Sequence, residues 1–264
     1  MLQQFSCVSS SLNFNKTPST NEITLKTPPP PKKVEGFTTI EEGDDDPYPS
    51  VALLLDNDYS PVCSATLIEE DTLLTAAHCI DDGDVCFVRI GDSIRDVRDT
   101  VYHPNFSDNR GNIRYDVGLV FLETPIVDIE PTPLNDMPLY GREGFPITTV
   151  GYSKGFKKYS EIGTFWYYGT LESEPTNMKF LTPNGSIWFG DSGGPVFMYV
   201  EGKKKIIGII SSFSMTMNGY KIYENSATRV DMVWSWIHQE MFLDNTRFIY
   251  EEVDKHEGLV TKKD

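Results

Sequence analysis

The side chain best suited to proton transfer near neutral pH is histidine, and the sequence contains four of them. His78 ends the apolar run 73–77 and is followed by Cys79, so it is expected at a fixed junction between a strand and a turn. The other three fall in a turn before a proline, on a predicted helix and in a charged segment: His103, His238 and His256. His78 is therefore the candidate general base.

A second candidate is the glycine-rich string Gly190-Asp-Ser-Gly-Gly-Pro195. The glycines leave the hydroxyl of Ser192 exposed and the neighbouring backbone N–H groups free, and such groups can form an oxyanion hole. A serine in a glycine-rich turn is a weak signal by itself, since many hairpins contain one. Together with a fixed histidine it is a strong one.

Several motifs resemble the trypsin/chymotrypsin-like serine protease family, and they follow in the order and with the spacing of that family over residues 34–242. They are Thr75-Ala-Ala-His78-Cys79, Tyr102-His-Pro-Asn-Phe106, Tyr115-Asp116-Val-Gly-Leu119, Gly190-Asp-Ser-Gly-Gly-Pro195, Gly208-Ile-Ile-Ser211, Thr228-Arg-Val230 and Trp234-Ser-Trp-Ile237.

The resemblance implies a catalytic triad. Ser192 would be the nucleophile, His78 the base and then the acid, and Asp116 the buried carboxylate that holds the imidazole. The N–H groups of Gly190 and Ser192 would bind the oxyanion. Without the other motifs, Asp116 is better interpreted as an ordinary loop aspartate. Ser192 also fits a hairpin serine in a relative that has lost activity.

The cysteines indicate the compartment. Cys63 and Cys79 are sixteen positions apart, which matches the family's disulfide around the histidine loop. An oxidising compartment follows, so the protein is predicted to be secreted or periplasmic, although the first residues show no signal-peptide pattern. Cys86 is expected to be a buried free thiol, with pairing to Cys7 as the alternative. The cysteine spacing predicts no metal site.

The specificity pocket departs from the family pattern at three positions. Ser186 stands where trypsin-like enzymes have an aspartate, and Phe213 and Asn225 stand where glycines usually line the pocket. The pocket is therefore expected to be shallow and uncharged, with a wall held by packing near Trp188. Small or medium uncharged side chains are predicted before the scissile bond.

Asp191 indicates that the protein could be activated by proteolytic cleavage. In the family this carboxylate is buried and pairs with an α-amino group that is released by cleavage upstream. The segment Lys32-Lys33-Val34-Glu35-Gly36-Phe37 resembles such a junction, although Gly36 lies one position early. The hypothesis is that the chain is a zymogen, activated by a second protease that cleaves after Lys33 and frees Val34.

The elements that position these residues are mainly strands. Short β-branched and aromatic runs indicate an all-β sandwich or barrel; they are 51–55, 65–77, 85–90, 117–122, 147–152, 165–171, 195–200 and 206–213. The resemblance implies two six-stranded antiparallel β-barrels, with the active site in the cleft between them and a C-terminal helix. A connector is predicted near 123–133 and a helix over 231–242, whose residues Val233, Trp236, Ile237 and Met241 recur at helical spacing.

Two segments lie outside the predicted protease domain, which spans residues 34–242. Residues 1–33, rich in Ser, Thr, Asn and Pro, are predicted to be a disordered leader or pro-segment, and 243–264 a charged tail. The acidic run 41–46 is expected to be a solvated loop. A calcium site is the alternative, but the spacing of the run matches no calcium loop.

The charge excludes some partners. The chain has 23 basic and 39 acidic residues, a net charge of −16, so it has no basic surface for nucleic acid. Its apolar runs are too short for a membrane span. The predicted function is a monomeric serine endopeptidase that acts on peptides or proteins without a cofactor. The alternative is a catalytically inactive, protease-like binding module, suggested by the altered pocket.

Overall fold

The β-branched runs of the sequence form strands in a computed structural model, which describes residues 37–41, 45–109, 112–153, 155–168, 176–183, 187–213 and 222–260. The predicted leader, 1–33, lies outside these residues. The strands are, in chain order, β1 (Thr38–Thr39), β2 (Val51–Leu55), β3 (Pro61–Glu69), β4 (Thr72–Thr75), β5 (Phe87–Ile90), β6 (Ser93–Tyr102), β7 (Ser107–Asn109), β8 (Asn112–Arg114), β9 (Gly118–Leu122), β10 (Pro146–Ser153), β11 (Phe156–Tyr168), β12 (Asn177–Pro183), β13 (Pro195–Val200), β14 (Lys203–Phe213) and β15 (Ile222–Arg229), and one helix follows, α1 (Val230–Val260).

The first barrel is a closed antiparallel sheet in the order β2-β3-β4-β9-β6-β5. Its interior is filled by aliphatic side chains that are fully buried, among them Leu53, Leu67, Leu73 and Leu119. The strand β2 is buried along its whole length. One reason is that the second barrel lies against it, where the Tyr152 hydroxyl donates to the carbonyl of Val51.

The second barrel consists of β10, β13, β14, β15, β12 and β11, with β1 added beside β11. Antiparallel pairing between β11 and β12 closes the ring. Its core includes Met178, Phe180, Val196 and Ile207. The predicted all-β fold with two six-stranded barrels and a C-terminal helix is therefore confirmed. Residues 123–145, which include the predicted connector, join β9 to β10.

Asp46, the last residue of the acidic run 41–46, forms a salt bridge with a buried lysine. Lys157 is buried, and its Nζ lies 2.6 Å from Asp46 Oδ2. The same ammonium donates to the carbonyls of Tyr48 at 2.7 Å and Val51 at 2.9 Å. The last residue of the run thus anchors the chain between the two barrels. The expectation of a solvated loop does not describe Asp46, because the lysine that pairs with it is distant in sequence.

The expectation of a free thiol at Cys86 is wrong. Cys86 is disulfide-bonded, and none of the described cysteines is free. Cys63 and Cys79 form the predicted disulfide with each other. Cys7, the remaining cysteine of the sequence, lies outside the described residues.

The C-terminal helix α1 packs against a hydrophobic cluster that contains residues of both barrels. Val233 and Ile237 are buried, and Trp236 and Met241 pack against the same cluster, as their spacing predicts. The helix continues beyond Phe242 to Val260, into the segment expected to be a charged tail. No helix of the described residues is long and apolar enough to cross a membrane.

The start of this extension is held by a salt bridge. The guanidinium of Arg98, on β6, binds both carboxylate oxygens of Asp244 at 2.8 Å. The side chain of Asp244 is 6% exposed and that of Arg98 20%. This bidentate geometry adds directional hydrogen bonds to the charge attraction, so the helix is fixed to the barrel beyond its predicted end.

Replacing Asp244 by Asn is expected to lower the free energy of unfolding by about 1–3 kcal/mol, because Arg98 loses its two charged hydrogen bonds and keeps the more distant Asp71, at 3.7 Å, as a carboxylate neighbour. Urea unfolding at pH 7 measures the change. The matched control is Asp136→Asn, which breaks an exposed pair with Lys205 and should leave the midpoint unchanged. Equal midpoints for both variants would contradict this role of Asp244.

Candidate active site

Asp116 is the most deeply enclosed of the predicted site residues. It lies between β8 and β9 and is 0% exposed. The backbone N–H of His78 donates to Oδ1 at 3.0 Å, the Nδ1 of His78 lies 2.8 Å from Oδ2, and the hydroxyl of Ser211 donates to Oδ2 at 2.6 Å. An ionised carboxylate in this position requires the proton on Nδ1. The Nε2 of His78 is then the free acceptor.

The backbone before Asp116 is turned sharply. Tyr115 has a φ of 49°, in the left-handed region that few residues with a side chain adopt. The N–H of Val117 donates to the carbonyl of Tyr115 at 2.8 Å. This tight turn directs the carboxylate of Asp116 into the interior.

The loop that contains His78 is held from two sides. Cys79, in the short 3₁₀ turn Ala77–Cys79, is joined by a disulfide to Cys63 on β3. Gly118, on β9, allows Ile80 to approach, since a Cβ at Gly118 would lie 2.5 Å from Ile80 Cδ1. The sulfurs also lie near a nitrogen of His78, but sulfurs in a disulfide are not the thiolates that zinc binds.

The pKa of His78 reflects two opposing effects. Burial lowers it, because the charged form loses water. The hydrogen bond to Asp116 and its negative charge, with smaller contributions from Asp81 and Asp108, outweigh burial and raise the pKa above its ordinary value. The imidazolium form is therefore stabilised at this position.

The Ser192 loop sits on the strands that lead to His78. The N–H of Ser64, on β3, donates to the carbonyl of Ser192 at 2.8 Å. Gly193 has a φ of +79°, and a Cβ there would lie 2.2 Å from both Ser64 O and Thr75 Oγ1. Only a glycine permits this contact. Thr75 ends β4, three residues before His78, so the two loops are brought together.

The Ser192 hydroxyl makes no hydrogen bond to His78 within the part of the chain that the structure describes. In proteases without substrate such hydrogen bonds are often long and shorten when the substrate binds. The carbonyl of Gly190 accepts a hydrogen bond from the hydroxyl of Ser64 at 2.8 Å. Among the described residues, the N–H groups of Gly190 and Ser192 have no acceptor.

Asp191 points away from the Ser192 hydroxyl into the second barrel and is 1% exposed. Its Oδ2 lies 2.9 Å from the Nζ of Lys158 and accepts from the hydroxyl of Ser153 at 2.8 Å and the N–H of Trp188 at 2.7 Å. Sequence reasoning missed Lys158. Val34, the predicted partner of Asp191, lies outside the described residues.

The predicted pocket residues are partly described. Phe213 stacks on Trp188, with ring centroids 5.6 Å apart, and meets Phe189 edge-on at 5.2 Å. Asn225 is buried, and its amide donates to Thr182 Oγ1 at 2.9 Å. Ser186 lies outside the described residues. An aromatic cluster therefore stands beside the Ser192 loop, a feature that the sequence indicated through the bulk of Phe213 and the position of Trp188.

Replacing Asp116 by Asn is expected to lower the pKa of His78, because burial would remain while the opposing charge is removed. NMR titration of the imidazole C2 proton measures this. His103 is the internal control: burial alone lowers its pKa, and that value should not change. A His78 pKa unaltered by the substitution would contradict the electrostatic role of Asp116.

Comparison with known proteins gives a consistent result. The family model described as trypsin matches residues 40–237. Vitamin K-dependent protein C from Oryctolagus cuniculus is 26% identical over 250 residues, which cover 80% of this chain and 52% of the relative. The protein from Rattus norvegicus is 27% identical over 249 residues, covering 79% and 51%. The chain thus spans about half the length of these relatives. Chymotrypsin-like elastase family member 1 from Macaca fascicularis is 26% identical over 212 residues, covering 67% and 77%. With three quarters of its residues matched by the family model, this chain belongs to the trypsin/chymotrypsin-like serine protease family.

Proposed function

We propose that this protein is a serine endopeptidase that cleaves peptide bonds through an acyl-enzyme on Ser192. The observation that supports this most strongly is the contact between the fully buried Asp116 and the Nδ1 of His78 at 2.8 Å. The half-exposed imidazole, whose side chain is 31% exposed, is then available through Nε2 beside the Ser192 loop.

In the proposed reaction, Nε2 of His78 takes the proton of the Ser192 hydroxyl as its oxygen attacks the substrate carbonyl. The negative charge that develops on the carbonyl oxygen is bound by the N–H groups of Gly190 and Ser192. His78 then gives its proton to the leaving amine, and a water molecule hydrolyses the acyl-enzyme by the reverse sequence.

The role of Asp116 is to hold the Nδ1–H tautomer and to stabilise the imidazolium. Ser211 supports it by donating to the same carboxylate. The pKa of His78 is raised. The imidazole therefore becomes mostly neutral, and able to accept a proton, only at a pH above the ordinary histidine pKa of about 6.5. Activity should therefore rise with pH, with a midpoint above that value.

The aromatic cluster of Trp188, Phe189 and Phe213 is the basis for the proposed specificity. Phe213 lies over Trp188 and occupies space that a glycine would leave open to a long substrate side chain. Trp188 is 39% exposed and Phe189 69%, so the cluster offers an apolar surface to substrate. Small or medium uncharged residues are proposed before the scissile bond, and cleavage after Lys or Arg is expected to be weak.

The disulfide Cys63–Cys79 supports a location outside the reducing cytosol. We propose that the protein is secreted or periplasmic and acts as a monomer on peptides or proteins. Activation by cleavage after Lys33 stays a prediction. It would require the amine of Val34 to reach Asp191, whose Oδ2 is bound by Lys158 and whose Oδ1 has no hydrogen-bond partner among the described residues.

A catalytically inactive binding module is the second candidate. It is favoured by the aromatic stack at Phe213, which narrows the place where a substrate side chain would enter. The two candidates differ in turnover: a binding module would hold a peptide and release it uncut. Mass analysis of a peptide library after incubation distinguishes these outcomes.

Replacing Ser192 by Ala, or His78 by Ala, is expected to reduce kcat/KM at least about 1000-fold, because the two residues act as a unit in the same step. Steady-state cleavage of library-derived peptides measures the loss, and circular dichroism checks the fold. The matched control is Ser60→Ala, at an exposed serine, which should leave activity unchanged. A Ser192→Ala variant that keeps most of its activity would exclude the proposed mechanism.

Replacing Phe213 by Ala is expected to open the pocket. The ratio of kcat/KM for a peptide with Leu before the scissile bond to that for one with Ala should rise about tenfold, since a small change in an apolar pocket alters discrimination by this order. Tyr199→Ala removes an aromatic side chain that is 70% exposed and serves as the control. An unchanged ratio in Phe213→Ala would contradict the role of the cluster.

A further inference from the structure

Two buried lysines stand side by side on β11. Successive side chains of a strand point to opposite faces, and Lys157 and Lys158 do so. Lys157 binds Asp46 between the barrels, whereas Lys158 binds Asp191 behind the Ser192 loop. Lys157 has a structural role. Lys158 touches the residue that precedes the proposed nucleophile.

We propose that Lys158 is a positioning residue of the oxyanion site: its ammonium group holds Asp191 inward, so that the chain is active without a cleavage that frees an α-amino group. This inference rests on the proposed function. In this arrangement the ammonium group of Lys158, on β11, takes the role that an α-amino group freed by cleavage would otherwise have.

The pair is enclosed almost completely. The side chain of Lys158 is 4% exposed and that of Asp191 1%, with Nζ and Oδ2 2.9 Å apart. A carboxylate buried at this depth is strongly unfavourable unless a cation and hydrogen-bond donors surround it. Lys158 provides the cation, and Ser153 and the N–H of Trp188 provide the donors, all of them at Oδ2. Oδ1 is buried and has no hydrogen-bond partner among the described residues.

The sequence of β10 makes room for this pair. Gly151 lies directly opposite Lys158 in the antiparallel register. A Cβ at Gly151 would lie 2.5 Å from Asp191 Oδ1 and 2.9 Å from Asp191 Cα. Any larger residue would therefore push Asp191 out of its place. The missing side chain leaves the space in which the carboxylate meets the ammonium.

The pair also determines the conformation of the turn that contains Gly190. The N–H of Asp191 donates to the carbonyl of Trp188 at 3.1 Å, and the N–H of Trp188 donates to Oδ2 of Asp191 at 2.7 Å. The turn 188–191 is thus closed around the Asp191 side chain. If the carboxylate lost its cation, this turn would have to rearrange, and the N–H of Gly190 would leave the place where it binds the oxyanion.

The segment after Val34 reaches the same place. The ring of Phe37 lies 4.8 Å from the Nζ of Lys158, an arrangement that favours a cation. An α-amino group at Val34 would be only three residues away along the chain. Because Phe37 is this close to Lys158, the experiment must distinguish the ammonium of Lys158 from an α-amino group freed at Val34.

The test uses the full chain with Lys32→Gln and Lys33→Gln, which prevent cleavage at the predicted junction. Intact mass confirms that the chain still begins at Met1. This protein is expected to cleave peptides as fast as the wild-type chain does after removal of residues 1–33. Activity that appears only after removal would overturn the proposal for Lys158 while leaving the proposed function intact. No activity in either form would instead contradict the proposed function.

In the same cleavage-blocked chain, Lys158→Met is expected to reduce kcat by about 100-fold or more, the effect of losing an oxyanion donor. Lys158→Arg, which keeps the cation, should recover part of this loss. Lys157→Met is the matched control: it removes the neighbouring buried lysine, and kcat per folded molecule should stay the same. A Lys158→Met variant that is folded and has the wild-type kcat would overturn the proposal, and so would an equal loss of kcat in Lys157→Met.

Discussion

Two carboxylates are buried in the candidate active site, Asp116 and Asp191, and both are shielded from solvent. A buried carboxylate must be surrounded by donors or cations, because nothing else compensates for the water that it has lost. The donors around Asp116 come from the His78 loop and from Ser211 on β14. Those around Asp191 come from β10, β11 and the turn that begins at Trp188, and all of them bind Oδ2. The need to satisfy these two groups therefore determines where the loops of both barrels lie.

Ser64 connects the two arrangements. It lies on β3 of the first barrel, yet its N–H binds the carbonyl of Ser192 and its hydroxyl donates to the carbonyl of Gly190. The same hydroxyl accepts from the N–H of Tyr152 on β10. Thr75 donates to the carbonyl of Ser64. One small residue thus fixes the distance between the histidine loop and the serine loop, and a larger side chain would separate them.

The sequence predicts the parts of this site that stand in local motifs. His78, Asp116 and Ser192 each lie in a short string whose neighbours restrict the backbone, and the two barrels follow from the same resemblance. Ser64 and Lys158 have no such string, because each acts on a partner that is distant in the chain. For the same reason the pairing of Lys157 with Asp46 was not foreseen.

Among the strands and the helix, too, some features were predicted from the sequence and others were not. The apolar strand β2 was predicted at its observed bounds, whereas β6 was missed because four of its ten residues are charged and none of them is fully buried. The helix α1 was predicted to end at Phe242, where charged residues begin. It continues to Val260, and just beyond the predicted end Asp244 binds Arg98 on β6, a contact that periodicity does not reveal.

The two buried carboxylates are proposed to produce an activated serine in the chain without a prior cleavage. The most direct measurement is the reaction of the full 264-residue protein with a fluorophosphonate, followed by intact-mass analysis and peptide mapping. The account predicts one adduct per chain, located on Ser192, in a protein that still begins at Met1. A chain that stays unlabelled in this form, or one that is labelled at another residue, would contradict it.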